Sequence, residues 1–393
     1  MSVLARPGRP AVWAALLTAI SLTFVACAVP SSEPAMVSSV DETEPFSENN
    51  GGGGQLIART LNRELDDPWG LAFLPDGTLL VTERKGSLQL LDPPGFDARE
   101  VRGLPDVVSA GQGGLMDVVV HPDFEQNQLI YLSYSIRMEG GLTTRVSRAR
   151  LVGTSLEGLE DVFTAQPAYR ERRHFGSRLL LDDGYLYVTV GDRGNRDLAQ
   201  SLETHNGKVM RLTESGEVPP DNPFVDRPGA RPEIWTYGHR NPQGIDRHPV
   251  SGEIWVAEHG PQGGDEVNAL SPGTNYGWPL ATYGEEYGGG KIGKGTHVEG
   301  TEQPLVYWVP SLATSGMAFY DGDLYPEWEN SLLVSGLRLT RISRLALDGT
   351  GLGRETRLMA DLKMRIRDVR VGPDGKVYVL ANGSRLMRLD LQG

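Results

Sequence analysis

One histidine, His174, has a type and a position beside a predicted strand that suit acid–base chemistry. His174 precedes SRLLLDDGYLYVTV, in which alternating apolar residues around an Asp-Gly turn predict β-structure. A neutral imidazole at such a place can accept a proton from a substrate, although an ordinary loop histidine is the alternative. His121 and His248 each precede a proline in a turn between strands, which indicates a structural role. His174 is therefore the candidate general base.

Polar side chains that could hold a ligand occupy similar places in other segments. Gln112 lies among glycines in AGQGGLMD, and Arg240 and Asn241 lie in YGHRNPQGID. Arg365 and Arg367 are two residues apart, so on a strand their guanidinium groups would share one face and could bind a carboxylate in a bidentate manner. A capped turn at Gln112 and an ion-paired strand edge for the two arginines are the alternatives. These residues alone leave both interpretations open.

The segment EHGPQGGDE, residues 258–266, collects oxygen atoms that a hard cation could use. Its glycines and proline leave backbone carbonyls free of ladder hydrogen bonds, and Asp265 and Glu266 add carboxylates. Oxygen ligands on an irregular loop are those that Ca²⁺ takes. The spacing is not that of an EF-hand, and a glycine-rich acidic turn without a metal is the alternative.

Missing motifs and the net charge argue against several other chemistries. The sequence has no HExxH or Cys/His cluster for zinc, no GxSxG of a serine hydrolase, and no GxGxxG that opens a helix after a strand. Its formal net charge of −13 at pH 7 argues against binding of nucleic acid. An anionic ligand would therefore have to be met by a local cluster of arginines.

A repeated unit of strand, turn and strand predicts the elements that would position these residues. Most of the turns carry Asp-Gly or Pro-x-x-Gly chemistry that is typical of tight hairpins. The six segments are residues 69–91, 116–135, 177–194, 243–260, 316–347 and 366–391. Six units predict an all-β fold, a six-bladed β-propeller with one four-stranded antiparallel blade per unit. A β-sandwich or barrel is the alternative.

The N-terminal region differs from the rest of the chain and predicts export. Residues 1–26 combine two arginines with a short apolar run, which is typical of a signal peptide, and FVAC resembles a lipobox that would place a lipid on Cys27. Residues 27–54 are rich in Ser, Glu, Pro and Gly and predict a flexible tether. The catalytic domain is expected at residues 55–393, in the cell envelope and attached to a membrane only through Cys27.

Taken together, the motifs resemble one family, the soluble sugar dehydrogenases of the glucose/sorbosone dehydrogenase type, and more closely their bacterial aldose sugar dehydrogenase branch. These enzymes depend on calcium and pyrroloquinoline quinone (PQQ). The resemblance runs from about Leu65 to the C-terminus. It rests on the ordered set DDPWGLAFLPDGTLLVTER, GQGGLMDVVVHPDF, HFGSRLLL, YVTVGDRGN, DNPF, GHRNPQGID, EHGPQGGDEVN, NYGWP and RIRDV. The family fold is a six-bladed propeller, in agreement with the repeats.

The resemblance implies a role for each matching residue. His174 matches the general base that removes the proton from the anomeric hydroxyl while hydride leaves C1 for the quinone. The positions that match cofactor contacts are Gln112, Arg240, Asn241, Tyr287, Arg338, Arg365 and Arg367. The carbonyls of Gly260 and Pro261 match those that hold Ca²⁺ against the cofactor, and Glu266 and Tyr276 match ligands of a second, structural ion.

Two positions depart from some members of the family. Arg173 precedes His174 where certain glucose-specific members carry an acid, and Arg338 stands where others have lysine. The first change would alter how the histidine is oriented, and the second would alter the geometry of anion binding.

The expected activity is oxidation of the C1 hydroxyl of aldoses to the lactone, with an external electron acceptor and a monomeric enzyme. A calcium-dependent propeller lactonase and a non-catalytic binding propeller are the alternatives. A lactonase would have no use for several arginines that converge on a tricarboxylate.

Overall fold

In the described residues, six sheets form the ring of a β-propeller, each built on a blade of four antiparallel strands, which confirms the predicted fold. The computed structural model describes residues 35–38, 55–348 and 351–392. Each repeat segment begins at or next to the innermost strand of one sheet, and the innermost strands contact one another in cyclic order. Because each blade needs neighbours to cover its apolar faces, the repeats predict a closed ring rather than separate sheets.

The blades are numbered in chain order. The strands of blades 1 to 3 are β3 (Pro68–Phe73), β4 (Leu79–Glu83), β5 (Ser87–Asp92), β6 (Asp97–Glu100), β7 (Leu115–Val120), β8 (Leu129–Met138), β9 (Gly141–Val152), β10 (Ser155–Thr164), β11 (Leu179–Asp182), β12 (Tyr185–Val190), β13 (Lys208–Thr213) and β14 (Ile234–Tyr237). Those of blades 4 to 6 are β15 (Pro242–Arg247), β16 (Ile254–Glu258), β17 (Asp265–Ala269), β18 (Val306–Val309), β19 (Thr314–Phe319), β20 (Ser331–Gly336), β21 (Ile342–Asp348), β22 (Gly351–Leu358), β23 (Ile366–Val371), β24 (Val377–Ala381) and β25 (Arg385–Gln392).

Two N-terminal strands join blades made by later parts of the chain. β2 (Gln55–Asn62) is the outermost strand of blade 6 and pairs antiparallel with the C-terminal strand β25. The ring is therefore closed by hydrogen bonds between strands from the two ends of residues 55–392. β1 (Ala35–Ser38) pairs in parallel with β18 and adds a fifth strand to blade 4.

Tight turns and short helices connect the strands. Between β11 and β12, Asp183 and Gly184 have φ values of 49° and 78°, the left-handed conformation that a type I′ hairpin turn requires. The helices in the described part of the chain are α1 (Phe124–Asn127) and three 3₁₀ helices, Arg196–Gln200, Pro326–Trp328 and Ala360–Leu362. Within residues 35–38, 55–348 and 351–392, none of the helices has the length and apolar character needed to span a membrane. The predicted signal peptide and Cys27 lie outside the described residues.

A buried cluster of charges crosses the centre of the ring. The Arg178 guanidinium is 1% exposed and lies 3.1 Å from Asp117 Oδ1 and 3.0 Å from Asp368 Oδ1. Arg370 Nη1 lies 3.3 Å from the same Asp368 oxygen. Burial raises the pKa of Asp117, while Arg178 and Arg370 oppose that rise. Because removal of one partner would leave an uncompensated buried charge, this cluster ties blades 2, 3 and 6 together.

Candidate functional site

A cavity of about 1140 Å³ opens at one end of the ring, where the innermost strands begin and the second strands end. Because every blade has the same strand order, the loops at these ends converge from all six blades. The sequence-predicted residues that line the cavity are Gln112, His174, Arg240, Asn241, Tyr287, Arg338, Arg365 and Arg367, together with Gly260 and Pro261. Glu266 and Tyr276 do not line it.

The His174 ring is fixed by a carboxylate that the sequence analysis did not identify. Nδ1 of His174 lies 2.7 Å from Oδ1 of Asp192, which follows β12. The other carboxylate oxygen of Asp192 accepts a hydrogen bond from Nε1 of Trp278 at 2.8 Å, and Oδ1 also accepts one from the Gly194 N–H at 2.7 Å. An ionised Asp192 makes Nδ1 the protonated nitrogen, so Nε2 of His174 is left as the proton acceptor.

Burial and neighbouring charges keep this pair in the right protonation states. Burial lowers the pKa of His174 below its usual 6.5, and Arg240 and Arg173 lower it too, against the hydrogen bond to Asp192. Burial alone would raise the pKa of Asp192, but its hydrogen bond to His174 and the charges of His174 and Arg240 leave that pKa lowered. At neutral pH the imidazole is therefore neutral and the carboxylate is ionised, as a general base and its partner must be.

The loop that carries His174 has an unusual backbone that depends on one close approach. His174 itself has a φ of 54°, in the left-handed region. A Cβ atom on Gly191 would lie 2.3 Å from the His174 carbonyl oxygen, so only glycine fits at that position. The Arg173 side chain is 53% exposed, and its Nε lies 4.0 Å from a carboxylate oxygen of Glu171. Asp192, and not the residue before His174, therefore orients the imidazole.

Gln112 joins the histidine loop to blade 2. Its Oε1 accepts the backbone N–H of His174 at 2.7 Å, and its own N–H donates to the Arg172 carbonyl at 2.8 Å. Arg84 Nη1 donates to the Gly111 carbonyl at 2.5 Å and so holds the preceding residue. Because the side-chain oxygen of Gln112 is used in this way, its amide group remains to donate to a ligand.

Arg240 and Asn241 lie between blades 3 and 4. The Arg240 N–H donates to Oε2 of Glu258 at 2.6 Å, its Nη1 donates to the His259 carbonyl at 3.1 Å, and its guanidinium lies 5.4 Å from the ring centre of Trp278. Oδ1 of Asn241 accepts the Gly176 N–H at 3.1 Å. Both side chains are therefore held at the cavity wall by the scaffold itself.

Three further arginines give the cavity a positive wall. Nη1 of Arg367 lies 3.2 Å from Oε1 of Gln243, whereas no other described residue pairs with the guanidinium of Arg338 or Arg365. Burial lowers the pKa of Arg367 to about 10, and the positive charges of Arg178 and Arg365 contribute. Cations that depress each other's pKa would be stabilised by an anion placed between them.

Two places offer oxygen atoms to a cation. At the cavity, no described donor reaches the carbonyl oxygens of Gly260 and Pro261, and the Gly260 N–H is held by Asp265 Oδ1 at 2.8 Å. Behind them lies the Glu266 carboxylate. Its pKa is raised well above the usual value, mainly because it is buried and also because the nearby charge of Glu258 repels it. Among the described residues, no three His, Cys, Asp or Glu side chains gather as a cage, so an ion here would need backbone carbonyls.

Asn268 contacts Glu266 at the second place, and the Tyr276 hydroxyl is held by Ala269 and Ser271 at the end of the same strand. Nδ2 of Asn268 donates to Glu266 Oε1 at 3.0 Å, while Oδ1 of Asn268 is buried with no hydrogen-bond partner in the described chain. The Tyr276 hydroxyl donates to the Ala269 carbonyl at 2.6 Å and accepts the Ser271 N–H at 2.8 Å. Tyr276 could therefore offer an ion only its backbone carbonyl.

Several residues of the site were not predicted from the sequence. Asp192, Trp69, Gln243 and His259 lie at strand ends on the side of the cavity, and Trp278 bonds Asp192 from a loop. The signal that could have identified Asp192 was its place in GDRGN, directly after the second strand of its blade.

Comparisons with known proteins identify similar chains over most of the length. A family model described as glucose/sorbosone dehydrogenase matches residues 65–388. The aldose sugar dehydrogenase YliI of Escherichia coli (strain K12) is 45% identical over an alignment of 331 residues that covers 82% of this chain and 89% of that protein.

Solved structures of aldose sugar dehydrogenases are also similar to this chain over most of its length. The apo-form of the soluble aldose sugar dehydrogenase from Escherichia coli has a TM-score of 0.83 at 43% identity, covering 86% of this chain and 99% of that chain. The PQQ-bound form of the aldose sugar dehydrogenase from Streptomyces coelicolor has a TM-score of 0.69 at 29% identity, with coverage of 86% and 99%.

Proposed function

The chain belongs to the glucose/sorbosone dehydrogenase family of oxidoreductases, and we propose that it oxidises the C1 hydroxyl of aldose sugars to the lactone with PQQ and Ca²⁺ as cofactors. One observation carries this proposal. A histidine oriented by a buried carboxylate shares a cavity with two arginines that have no described partner. The PQQ-bound relative supports the choice of the cofactor.

His174 acts as the base in this reaction. Its Nε2 takes the proton of the C1 hydroxyl as the C1–H bond breaks and the carbonyl of the lactone forms. When bound, the quinone supplies the acceptor for the hydride and its two electrons. Asp192 keeps the proton on Nδ1 before the reaction and pairs with the imidazolium afterwards, so the base needs no reorientation. An external electron acceptor then returns the cofactor to its oxidised state.

The cavity residues fit an ortho-quinone that carries three carboxylates. Arg338, Arg365 and Arg367 form a positive wall on blades 5 and 6 that can bind carboxylates with charge-assisted hydrogen bonds. Arg240 and Asn241 lie across the cavity, where Arg240 would stabilise negative charge that develops on the quinone. Tyr287 and the free amide of Gln112 would complete the contacts. These positive side chains explain how an acidic protein could hold a tricarboxylate.

Calcium fits both places that offer oxygen atoms. The carbonyls of Gly260 and Pro261 would hold one ion at the cavity, where it would act as a Lewis acid towards the quinone. Glu266 and the Tyr276 carbonyl would hold the second ion. The unpartnered Oδ1 of Asn268 and the charge of Glu258 beside Glu266 support a cation there, because a cation would offset the repulsion between the two buried carboxylates.

A dye-linked assay of a panel of aldoses tests the proposed function. The purified protein is assayed with Ca²⁺ and PQQ together, with each alone, and with neither, and the lactone is identified as product. Oxidation that requires both additions is the expected result. Absence of oxidation together with absence of PQQ binding would overturn the proposal, and hydrolysis of lactones without PQQ would favour a lactonase.

We also propose that the protein is exported and anchored through Cys27. This rests on the signal-like residues 1–26 and on FVAC alone. Labelling of cells with a radioactive fatty acid tests it, since Cys27→Ser would abolish incorporation if the cysteine carries the lipid. Unchanged labelling of the variant would contradict the anchor. A monomer is expected in solution.

A further inference from the structure

The turn that carries Tyr287 projects at the cavity mouth and has few contacts of its own. It lies in the connection between β17 and β18, where the Glu286 N–H donates to the Gly290 carbonyl at 2.9 Å and the Gly289 N–H donates to the Glu286 carbonyl at 2.9 Å. Tyr287 is 71% exposed. Cβ atoms added at Gly288, Gly289 and Gly290 would meet no atom within 4 Å. The tip is therefore free to change conformation unless something fastens it.

On either side of the tip, the same connection is held by hydrogen bonds and packing. The backbones of Gln262 and Glu285 exchange two hydrogen bonds of 3.0 and 3.1 Å, and the Tyr283 ring stacks on Tyr307 with ring centres 3.6 Å apart. Ile292 is buried against Ala199 and Trp278. Motion of this connection is thus confined to the tip between Glu286 and Gly290.

One ion pair fastens that tip to the neighbouring blade 3. Nη1 and Nη2 of Arg196 lie 2.5 and 3.1 Å from the two carboxylate oxygens of Glu286, a bidentate arrangement. Arg196 begins the 3₁₀ helix that follows Asp192, and its guanidinium lies 5.6 Å from the ring centre of Trp278. The pKa of Glu286 is lowered mainly by its hydrogen bond to Arg196, and the positive charge of Arg240 contributes a smaller part. The pair therefore links the turn that carries Tyr287 to the segment that follows Asp192.

We propose that the Arg196–Glu286 ion pair is a clasp that holds the Tyr287 turn across the cavity mouth and so slows departure of the bound cofactor. The inference rests on the proposed function, because it assigns PQQ to the cavity. In it, Arg196 and Glu286 are positioning residues that act through Tyr287 and do not touch the reacting atoms. With the pair broken, the glycine-rich tip samples open positions and Tyr287 no longer covers the cavity.

The expected effect is modest because both side chains are partly exposed. Arg196 is 43% and Glu286 is 40% exposed, and exposed ion pairs contribute little free energy even with good geometry. We therefore expect that loss of the Arg196–Glu286 pair increases the rate of cofactor release about two- to fivefold. Salt screens exposed charges, so raising the ionic strength should diminish the difference between the wild-type protein and a variant without the pair.

Release of PQQ from the loaded protein tests the clasp without an activity assay. The full protein is loaded with PQQ and Ca²⁺, freed of excess PQQ, and the PQQ absorbance that passes an ultrafiltration membrane is followed over time at constant Ca²⁺. Glu286→Gln should release PQQ two- to fivefold faster than wild type. The double variant Arg196→Glu with Glu286→Arg should return the release rate towards that of wild type, since the reversed pair can form again.

The matched control is an equally exposed ion pair far from the mouth. Arg150 and Glu157 join β9 and β10, with Nη2 2.7 Å from the carboxylate and exposures of 52% and 50%. Glu157→Gln should leave the release rate unchanged. Equal rates for Glu286→Gln and wild type, both of which bind PQQ, would overturn the clasp and leave the proposed function standing. A wild-type protein that binds no PQQ would overturn both.

Discussion

Nδ1 of His174 lies 2.7 Å from Oδ1 of Asp192, and this contact joins the loop before β11 to the loop after β12 within blade 3. It links a residue that could accept a proton with the carboxylate that determines its tautomer. Trp278 from blade 4 holds the second oxygen of Asp192, so the pair is fixed by two blades. The proposed chemistry depends on this relationship.

Replacement of Asp192 by Asn should keep the fold and remove the charge behind the base. Because the amide can present the wrong atom to Nδ1, we expect kcat to fall about 10²- to 10⁴-fold. Asp192 raises the pKa of His174, so the acid limb of kcat/KM should also move to lower pH. Steady-state kinetics across pH test both effects. Asp183→Asn, in the exposed turn of the same blade, is the control and should change neither.

The pH dependence of the wild-type protein follows from the burial of His174. Burial, with Arg240 and Arg173, lowers the pKa of this histidine below 6.5, and the base works only when neutral. Activity should therefore be retained down to pH 6.5 and be lost below it as the imidazole is protonated. A pH profile of kcat/KM measures this limb. A limb centred above pH 6.5 would contradict the argument.

The unpaired arginines should matter for cofactor affinity. Arg338→Gln and Arg365→Gln each remove a cation that no described residue neutralises, so we expect PQQ binding to weaken about 10- to 100-fold without loss of thermal stability. Titration calorimetry with PQQ measures the affinity. Arg354→Gln, an exposed arginine on blade 5, should bind PQQ as the wild type does. If all three variants bind alike, these arginines do not hold the cofactor.

Removal of calcium should destabilise the protein through Glu266. With a chelator, the wild-type Tm should fall, because the carboxylates of Glu266 and Glu258 are then buried together without a cation. Glu266→Gln removes one of the charges, so its Tm should respond little to the chelator. Differential scanning calorimetry with and without Ca²⁺ measures both. A chelator response of the same size in both proteins would exclude Glu266 as a ligand of the second ion.

The close packing of Gly191 against the His174 carbonyl should be important for both stability and activity. The Cβ of Gly191→Ala would lie 2.3 Å from the His174 carbonyl, so the histidine loop must shift, and we expect a loss of about 1–3 kcal/mol together with reduced activity. Gly95→Ala, where the added Cβ meets only the Asp97 carboxylate at 3.2 Å, is the control. Thermal unfolding and kinetics of both variants provide the comparison. Equal stability and activity would show that the loop tolerates the methyl group.

The fold could be predicted because its signals are local. Buried strands such as β4 and β24 are mostly apolar, and Asp-Gly turns join them to the preceding strands. The outermost strands carry weaker signals: β6 is exposed along its whole length and shows no apolar pattern. The connection between β17 and β18 contains no strand period either. Its stacked tyrosines and its ion pair to Arg196 arise only in three dimensions.

The candidate site was accessible to sequence reasoning only in part. Motifs identified residues at the starts of innermost strands, such as Gln112 and His174, because family resemblance assigns them. Asp192 was overlooked because its importance depends on where β12 ends in relation to β11, a relationship that spacing does not reveal. Trp278 lies further still from His174 in sequence, and only the convergence of the blades brings its indole to the carboxylate.

Single-turnover reduction of bound PQQ by glucose, in the wild type and in His174→Gln, tests the role of His174 most directly. Both proteins are first loaded with PQQ and Ca²⁺, and equal binding is established by absorbance. Reduction in His174→Gln should be slower by about 10²-fold or more, since a general base contributes at least that much. Equal rates of reduction in two equally loaded proteins would contradict the assignment of His174 as the base.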